Sequence, residues 1–315
     1  MRARILWAAL LASLLGGLAL GLTAFAGAAD RQPEAASALP DSGWSLVASM
    51  PQPLHGAAGA SNDVYSYAAG GIDAAGATLD TFYRYNPVNE RWDTYPPAMP
   101  APREGASAVY YPTTNSIYVF GGKDGGTFSN TTWVFDIIGN TWATVANMPA
   151  PRAFMAAGYN SANGRIYLSG GESSAGTQQS IWEYNPGANT FTDRAQMPQP
   201  VAGPASGVIS GHMYVAGGHN ASGALNTNWD YSISANMWTA RAPLTEPRDV
   251  PGSATASGKL WAFGGEISSS PTATTVAYDP AADSWSNGPS LSLARSSVAG
   301  AAIGDTLVAA GGDTG

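Results

Sequence analysis

Two sets of polar side chains recur at regular spacing along this chain, and they carry whatever chemistry it has. The first follows proline: Pro102-Arg103, Pro151-Arg152 and Pro247-Arg248, with Arg295 after Ala294 as a fourth copy. His55, Glu104 and Asp249 stand beside equivalent positions. The second set comes just after paired glycines: Lys123, Glu172, His219, Glu266 and Asp313. A guanidinium offers a planar fork of donors that fits carboxylates and sugar oxygens. Carboxylates and imidazole beside it can hold or move a proton. Other chemistries are closed. There is no G-x-S-x-G nucleophile turn and no phosphate-cradling loop ending in Lys-Ser or Lys-Thr. With His55, His212 and His219 as the full histidine count and no cysteine, no metal centre is expected.

The elements that position these residues are repeats. Gly70-Gly71, Gly121-Gly122, Gly170-Gly171, Gly217-Gly218, Gly264-Gly265 and Gly311-Gly312 succeed one another at intervals of 51, 49, 47, 47 and 47 residues. Trp92, Trp142, Phe191, Trp238 and Trp285 follow the first five pairs by 20 or 21 residues, and Trp44 lies ahead of the first pair. Between pair and aromatic sits a β-type run such as Thr132-Trp133-Val134-Phe135 or Thr275-Val276-Ala277-Tyr278. Before each pair comes an apolar run such as Ser116 to Phe120, and before that a run of small residues such as Gly105 to Ala108. Small side chains suit strands that converge on an axis. Each repeat therefore reads as four antiparallel strands, packed radially against its neighbours. In such a meander the first strand begins on the face where the second ends. Both polar sets then gather on one face, around a central depression. The candidate ligand-binding residues are Arg103, Arg152, Arg248, Arg295, Glu104, Lys123, Glu172, His219 and Glu266, and no catalytic residue is assigned. The competing reading of each arginine is a strut between repeats. His212 falls at a hairpin on the opposite face, where solvation explains it.

The Gly-Gly, Tyr and Trp positions, with a Pro-Arg lead into the first strand, resemble the Kelch repeat, whose copies run near 50 residues. The resemblance spans Trp44 to Gly315. Leu54 and Val201 stand where other copies have arginine, and Phe191 replaces one tryptophan. It implies an all-β, Kelch-type β-propeller of six blades of four antiparallel strands, the closing blade shared between the N- and C-termini. The repeats fall at about 50–95, 99–145, 148–194, 197–241 and 243–288, with a partial copy at 290–315 completed by 44–49. No segment reads as the sixth Tyr strand, and Glu34 to Gly43 fits that place poorly. The double glycines and Trp44, Trp92, Trp142, Trp238 and Trp285 are structural in this reading. Kelch-type enzymes of the galactose oxidase group use a cofactor made from Tyr and Cys. Without cysteine that route is shut, and no cofactor is expected.

Residues 1–29 read as a signal peptide: Arg2 and Arg4, an uncharged apolar run, then Ala24, Ala26 and Ala28 at the spacing of a cleavage site. An uncleaved anchor is the alternative, and only then would the chain meet a membrane. Residues 30–43 read as a flexible linker and 44–315 as the propeller. Either way a secreted, periplasmic or cell-surface location is expected. The net charge of −8 disfavours nucleic acid. Asn130-Thr131-Thr132 and Asn220-Ala221-Ser222 match a glycosylation acceptor, a short and weak motif. The function expected is a monomeric, noncatalytic binding module for a protein or carbohydrate ligand. The alternative is a sugar-modifying enzyme similar to the periplasmic sialic-acid epimerases, since mutarotation needs only an acid and a base, which Glu104, Glu172 or His219 with an arginine could supply. The absence of a catalytic constellation favours the first.

Overall fold

The computed structural model describes residues 43–315 apart from 95, together with the backbone of Leu22–Phe25. The remainder of the leader and of the 30–43 linker lies outside the described residues.

Five blades are built as the repeats predict. Each is an antiparallel meander of four strands laid in chain order from axis to periphery. The first contains Ala58–Ser61, Ser66–Ala69, Phe82–Asn86 and Arg91–Asp93. The second contains Ser107–Tyr111, Ser116–Phe120, Thr132–Asp136 and Thr141–Val145. The third has Ala156–Asn160, Arg165–Ser169, Ile181–Asn185 and Thr190–Asp193. The fourth has Ala205–Ile209, His212–Ala216, Asn228–Ser232 and Met237–Arg241, and the fifth Gly252–Ala256, Lys259–Phe263, Thr275–Asp279 and Ser284–Gly288.

The expectation of six blades of four antiparallel strands needs correction: five blades have that construction, not six. Between the fifth and the first stands a mixed sheet of Ala299–Ile303, Thr306–Ala310, Leu22–Phe25 and Trp44–Val47. Leu22–Phe25 runs parallel to both of its neighbours. No repeat supplies a Tyr strand here, so a segment from the predicted leader lies there, in the opposite direction to the five third strands.

Small residues bring the inner strands together. A Cβ on Gly59 would lie 2.2 Å from the Gly300 carbonyl oxygen, closer than any side chain could stand. Farther out, apolar residues of adjacent units fuse into shared cores: Tyr67, Phe82, Ile117, Val119, Trp133 and Phe135 between the first two blades, and Tyr167, Met213 and Tyr231 between the third and fourth. The cores thus lie between sheets, which is why no single repeat could fold alone.

Two sets of backbone hydrogen bonds then tie the units around the axis. In one, the second glycine of each pair donates to the Arg-position carbonyl of the next unit: Gly71 to Arg103, Gly122 to Arg152, Gly171 to Val201, Gly218 to Arg248, Gly265 to Arg295 and Gly312 to Leu54, at 2.7–3.0 Å. In the other, Gly105 donates to Gly56, Phe154 to Gly105, Gly203 to Phe154, Val250 to Gly203, Ser297 to Val250 and Gly56 to Ser297, at 2.6–3.0 Å. The two rings run in opposite senses. Each closes across the seam between the mixed sheet and the first blade without help from any strand.

Candidate functional site

The double glycines set the geometry of the axial face. At Gly121 and Gly122 φ is +61° and +91°, and a Cβ on Gly121 would sit 2.2 Å from the Arg152 carbonyl oxygen. Only glycine allows both the left-handed turn and the close approach. The turn sends the next residue toward the axis, where it forms a β-bridge with the residue after the Arg position. The bridged pairs are His55 with Ile72, Glu104 with Lys123, Ala153 with Glu172, Ala202 with His219, Asp249 with Glu266 and Ser296 with Asp313. The residues that follow the Arg position and those that follow the double glycines therefore share one face, as twelve positions around the axis.

The arginines leave that face. Arg152, Arg248 and Arg295 are only 7%, 4% and 5% exposed, and Arg103 is half-buried. Each turns inward and donates to its own blade. Arg103 Nη1 bonds the Pro102 carbonyl at 2.7 Å, and Nη2 bonds the hydroxyls of Ser129 and Thr131 at 3.1 and 3.2 Å. Its guanidinium lies 4.8 Å over the Trp133 ring, as that of Arg152 lies 5.0 Å over Trp182. Arg152 reaches the Pro151 carbonyl and the Ser180 hydroxyl at 2.9 and 3.2 Å. Arg248 bonds the Gly264 carbonyl and, at 2.7 Å, the Thr274 hydroxyl, and Arg295 bonds the Gly311 carbonyl at 2.8 Å. Desolvation pushes all four guanidinium groups below their ordinary pKa. Arg248 and Arg295 thus cap a carbonyl of the glycine turn itself, while Arg103 and Arg152 tie the chain before the inner strand to hydroxyls just ahead of the third strand.

The other candidates remain, and most join into one chain of contacts that crosses four blades. Lys123 Nζ stands 3.8 Å from Glu104 Oε1 and 4.0 Å from Glu172 Oε2. Glu172 Oε1 meets His219 Nε2 at 2.8 Å, and His219 Nδ1 meets Asp249 Oδ1 at 2.8 Å. Held between two carboxylates, Asp249 foremost, the imidazole pKa is pushed up to about 10. The same hydrogen bond from His219 draws Glu172 below its ordinary value. Asp249 Oδ1 also accepts from the Val250 amide at 2.8 Å. Glu266 lies apart from this chain and accepts from the Ser296 hydroxyl at 3.2 Å. His55 and Asp313 flank a separate cavity of about 310 Å³ at the seam, with Leu54, Ile72 and Asp73.

Sequence reasoning missed the floor of the depression. Gly56, Gly105, Phe154, Gly203, Val250 and Ser297 surround the axis, all left-handed, with Phe154, Val250 and Ser297 at φ +56°, +39° and +53°. A β-branched valine there is strained. A Cβ on Gly105 would strike the Phe154 ring at 2.6 Å, and one on Gly203 the Val250 side chain at 2.7 Å. Each bulky residue thus fills the space beside the previous unit's glycine. Lys123 Nζ lies 5.0 Å over the Phe154 ring. A signal was available: every one of the six stands two residues after the Arg position. Four post-glycine loops also form short ribbons, such as Lys123–Asp124 with Thr127–Phe128 and His219–Asn220 with Gly223–Ala224, which raise a rim around the face. On the far face His212 is tied rather than simply solvated: its Nδ1 lies 2.7 Å from the buried Asp230, which Arg241 also holds at 2.7 Å. Among the described residues no group of three or more His, Asp or Glu side chains is placed to hold a metal ion.

Comparison with known proteins agrees with this geometry. Residues 54–196 match the KLHDC2/KLHL20/DRC7 Kelch-repeats domain, and residues 200–245 and 251–292 match the Kelch motif. Beta-scruin of Limulus polyphemus is 36% identical over 101 residues, which cover 29% of this chain and 11% of that protein. A solved structure titled "Structure of YjhT" superposes with a TM-score of 0.71 at 17% identity, covering 84% of this chain and 92% of the other. At that identity the likeness is one of fold. Kelch propellers generally bind proteins, and the fold suggests a protein-interaction module. By its repeats, its double-glycine turns and two matching family descriptions, the chain belongs to the Kelch-repeat β-propeller family.

Proposed function

We propose that the protein works outside the cytoplasm as a noncatalytic interaction module whose axial face holds a basic segment of a partner protein. The carrying observation is the connected chain Glu104–Lys123–Glu172–His219–Asp249 around the axis. Across the twelve ring positions Glu104, Glu172, Asp249, Glu266 and Asp313 stand against Lys123 and a protonated His219, while the arginines turn inward. The free charge of the face is therefore negative, which steers cationic partners toward it and repels anionic ones. This replaces the anion or acidic-sugar preference that an exposed arginine ring would have given. A noncatalytic role is supported by His219, whose two ring nitrogens are both engaged, so that neither is open to take a proton from a ligand. Location outside the cytoplasm rests on the leader-like residues 1–29.

The test pans a random peptide library on the full-length protein and measures the selected peptides again on Glu172→Gln and Asp249→Asn proteins. Selected peptides should be rich in Lys and Arg and should weaken at higher salt. Losing one charge-assisted hydrogen bond should cost about ten- to a hundredfold in affinity. Selection of acidic peptides, or peptides indifferent to both substitutions, would overturn the reading.

A further inference from the structure

The place between Thr306–Ala310 and Trp44–Val47 is made differently from its five counterparts. In each blade the third strand runs antiparallel to its neighbours and pairs four or five residues with the second strand. Leu22–Phe25 instead runs parallel to both neighbours and pairs three residues with Thr306–Ala310: Leu22 with Leu307, Thr23 with Val308, Ala24 with Ala309.

Both walls of this place are held without that strand. Thr306–Ala310 pairs along its length with Ala299–Ile303. The Trp44 indole packs edge-on against Phe263 at 5.1 Å and donates to the Thr275 hydroxyl and the Pro289 carbonyl at 3.1 and 3.0 Å. Each wall is thus tied to residues outside the gap.

The blades also say what fits. Opposite the outer-strand aromatic, each third strand carries Tyr85, Phe135, Tyr184, Tyr231 or Tyr278, with ring centroids 4.7–5.4 Å apart. Trp44 occupies the outer-strand place in the mixed sheet, and the residue in register with it is Leu22. The occupant therefore departs from the repeat in direction, in paired length and in the residue set against the tryptophan.

We propose that this place is an exchangeable strand site. An extended segment of a partner protein, patterned as Thr275–Asp279 with a Tyr or Phe before an Asp or Asn, adds antiparallel to Thr306–Ala310 and stacks its aromatic on Trp44; it displaces Leu22–Phe25 where the leader is retained and takes the place left open where the leader has been removed. Main-chain hydrogen bonds supply affinity in such strand addition, and the side-chain position supplies selectivity. The site uses none of the axial residues and does not depend on the axial-face reading.

The test titrates a labelled synthetic peptide copying residues 273–281 of this chain into the full-length protein, followed by fluorescence anisotropy and amide hydrogen exchange. Saturable binding is expected, with slower exchange in Thr306–Ala310 and Trp44–Val47 and faster exchange in Leu22–Phe25. The same peptide carrying the Tyr278→Ala change should bind about tenfold more weakly or worse. Absence of binding, binding without slowed exchange at Thr306–Ala310, or equal binding of both peptides would overturn the proposal. The decisive comparison alters the peptide alone, so the fold of the protein is the same in both arms.

Discussion

At the scale of single residues, the recurrent arginine and the recurrent post-glycine residue illustrate how position in a turn decides role. Both lie within a few ångströms of the axial face. The arginine is drawn under it to donate to acceptors of its own blade: Arg248 meets the Gly264 carbonyl and Arg295 that of Gly311, while Arg103 and Arg152 meet hydroxyls ahead of the third strand. The post-glycine residue has no such duty and is free to vary, as Ile72, Lys123, Glu172, His219, Glu266 and Asp313 do. His219 gives this difference a measurable consequence. Unfolded, it titrates near its ordinary 6.5; folded, it keeps its proton to about 10. The stability it supplies is therefore whole below about 6.5 and is lost as pH rises through about 10. Glu172, held below its ordinary value by His219, withdraws its own share on the acid side, as pH falls through its folded value. Thermal unfolding of wild type and of His219→Gln should show a gap at pH 7 that closes toward pH 10.5. A gap that stays constant across that range would refute the clamped imidazolium.

At the scale of the element, the outer-strand tryptophan makes two contacts at once. It stacks on the third-strand ring of its own blade, and its indole N–H donates to a carbonyl on the chain leading out of the preceding unit. Trp142 bonds Pro97 at 3.0 Å, Trp238 bonds Ala195 at 2.7 Å and Trp285 bonds Ala242 at 2.9 Å. A Tyr–Asx pair repeats the link: Asn236 accepts both the Tyr231 hydroxyl, at 2.6 Å, and the Ala195 amide, at 2.9 Å. The third blade has Phe191, which keeps the stacking at 4.7 Å but has no N–H to donate. Trp238→Ala should cost about 3 kcal/mol, the low end for aromatic truncation, since the indole is only half-buried. Phe191→Trp should gain about 0.5–1.5 kcal/mol by restoring the missing donor. Urea unfolding of both variants checks this. A stabilising Trp238→Ala or a destabilising Phe191→Trp would show that the repeat position is read wrongly.

At the scale of the whole molecule, closure is the decisive feature. Adjacent units share cores, yet the seam between the mixed sheet and the first blade must be made by residues far apart in sequence, at the loop-closure cost that any long-range contact carries. The two rings of backbone hydrogen bonds join there, through Gly312 to Leu54 and Gly56 to Ser297. Gly311→Ala tests the seam. Its φ is +65° and the added Cβ would lie 2.2 Å from the Leu54 carbonyl oxygen, so the two sides must part. We expect faster hydrogen exchange in both Ala299–Ala310 and Ala58–Ala69, with a loss above about 2 kcal/mol from backbone strain and the broken contact. Gly187→Ala, where φ is not left-handed and the nearest atom is 3.5 Å away, should leave exchange unchanged. Confinement of the Gly311→Ala effect to its own hairpin would mean that the rings do not act together.

The repeats themselves were legible because their physics is local. A double glycine forces a turn, alternation of apolar residues makes a strand, and an aromatic at fixed distance marks the outer strand; each acts within one unit of about fifty residues. The sequence by itself therefore determined the blade, its strand order and the face on which the residues after the Arg position meet those after the double glycines. Three things it left to the tertiary structure. Whether an arginine such as Arg152 faces a ligand or caps a hydroxyl such as Ser180 depends on which acceptors the folded blade brings within its reach. The pairing of Glu172 with His219 and Asp249 joins three different blades, so no local pattern encodes it. The strand in the closing place, Leu22–Phe25, resembles none of the five third strands in sequence; it is admitted because the gap between Thr306–Ala310 and Trp44–Val47 offers unpaired backbone, and backbone hydrogen bonding does not discriminate among side chains.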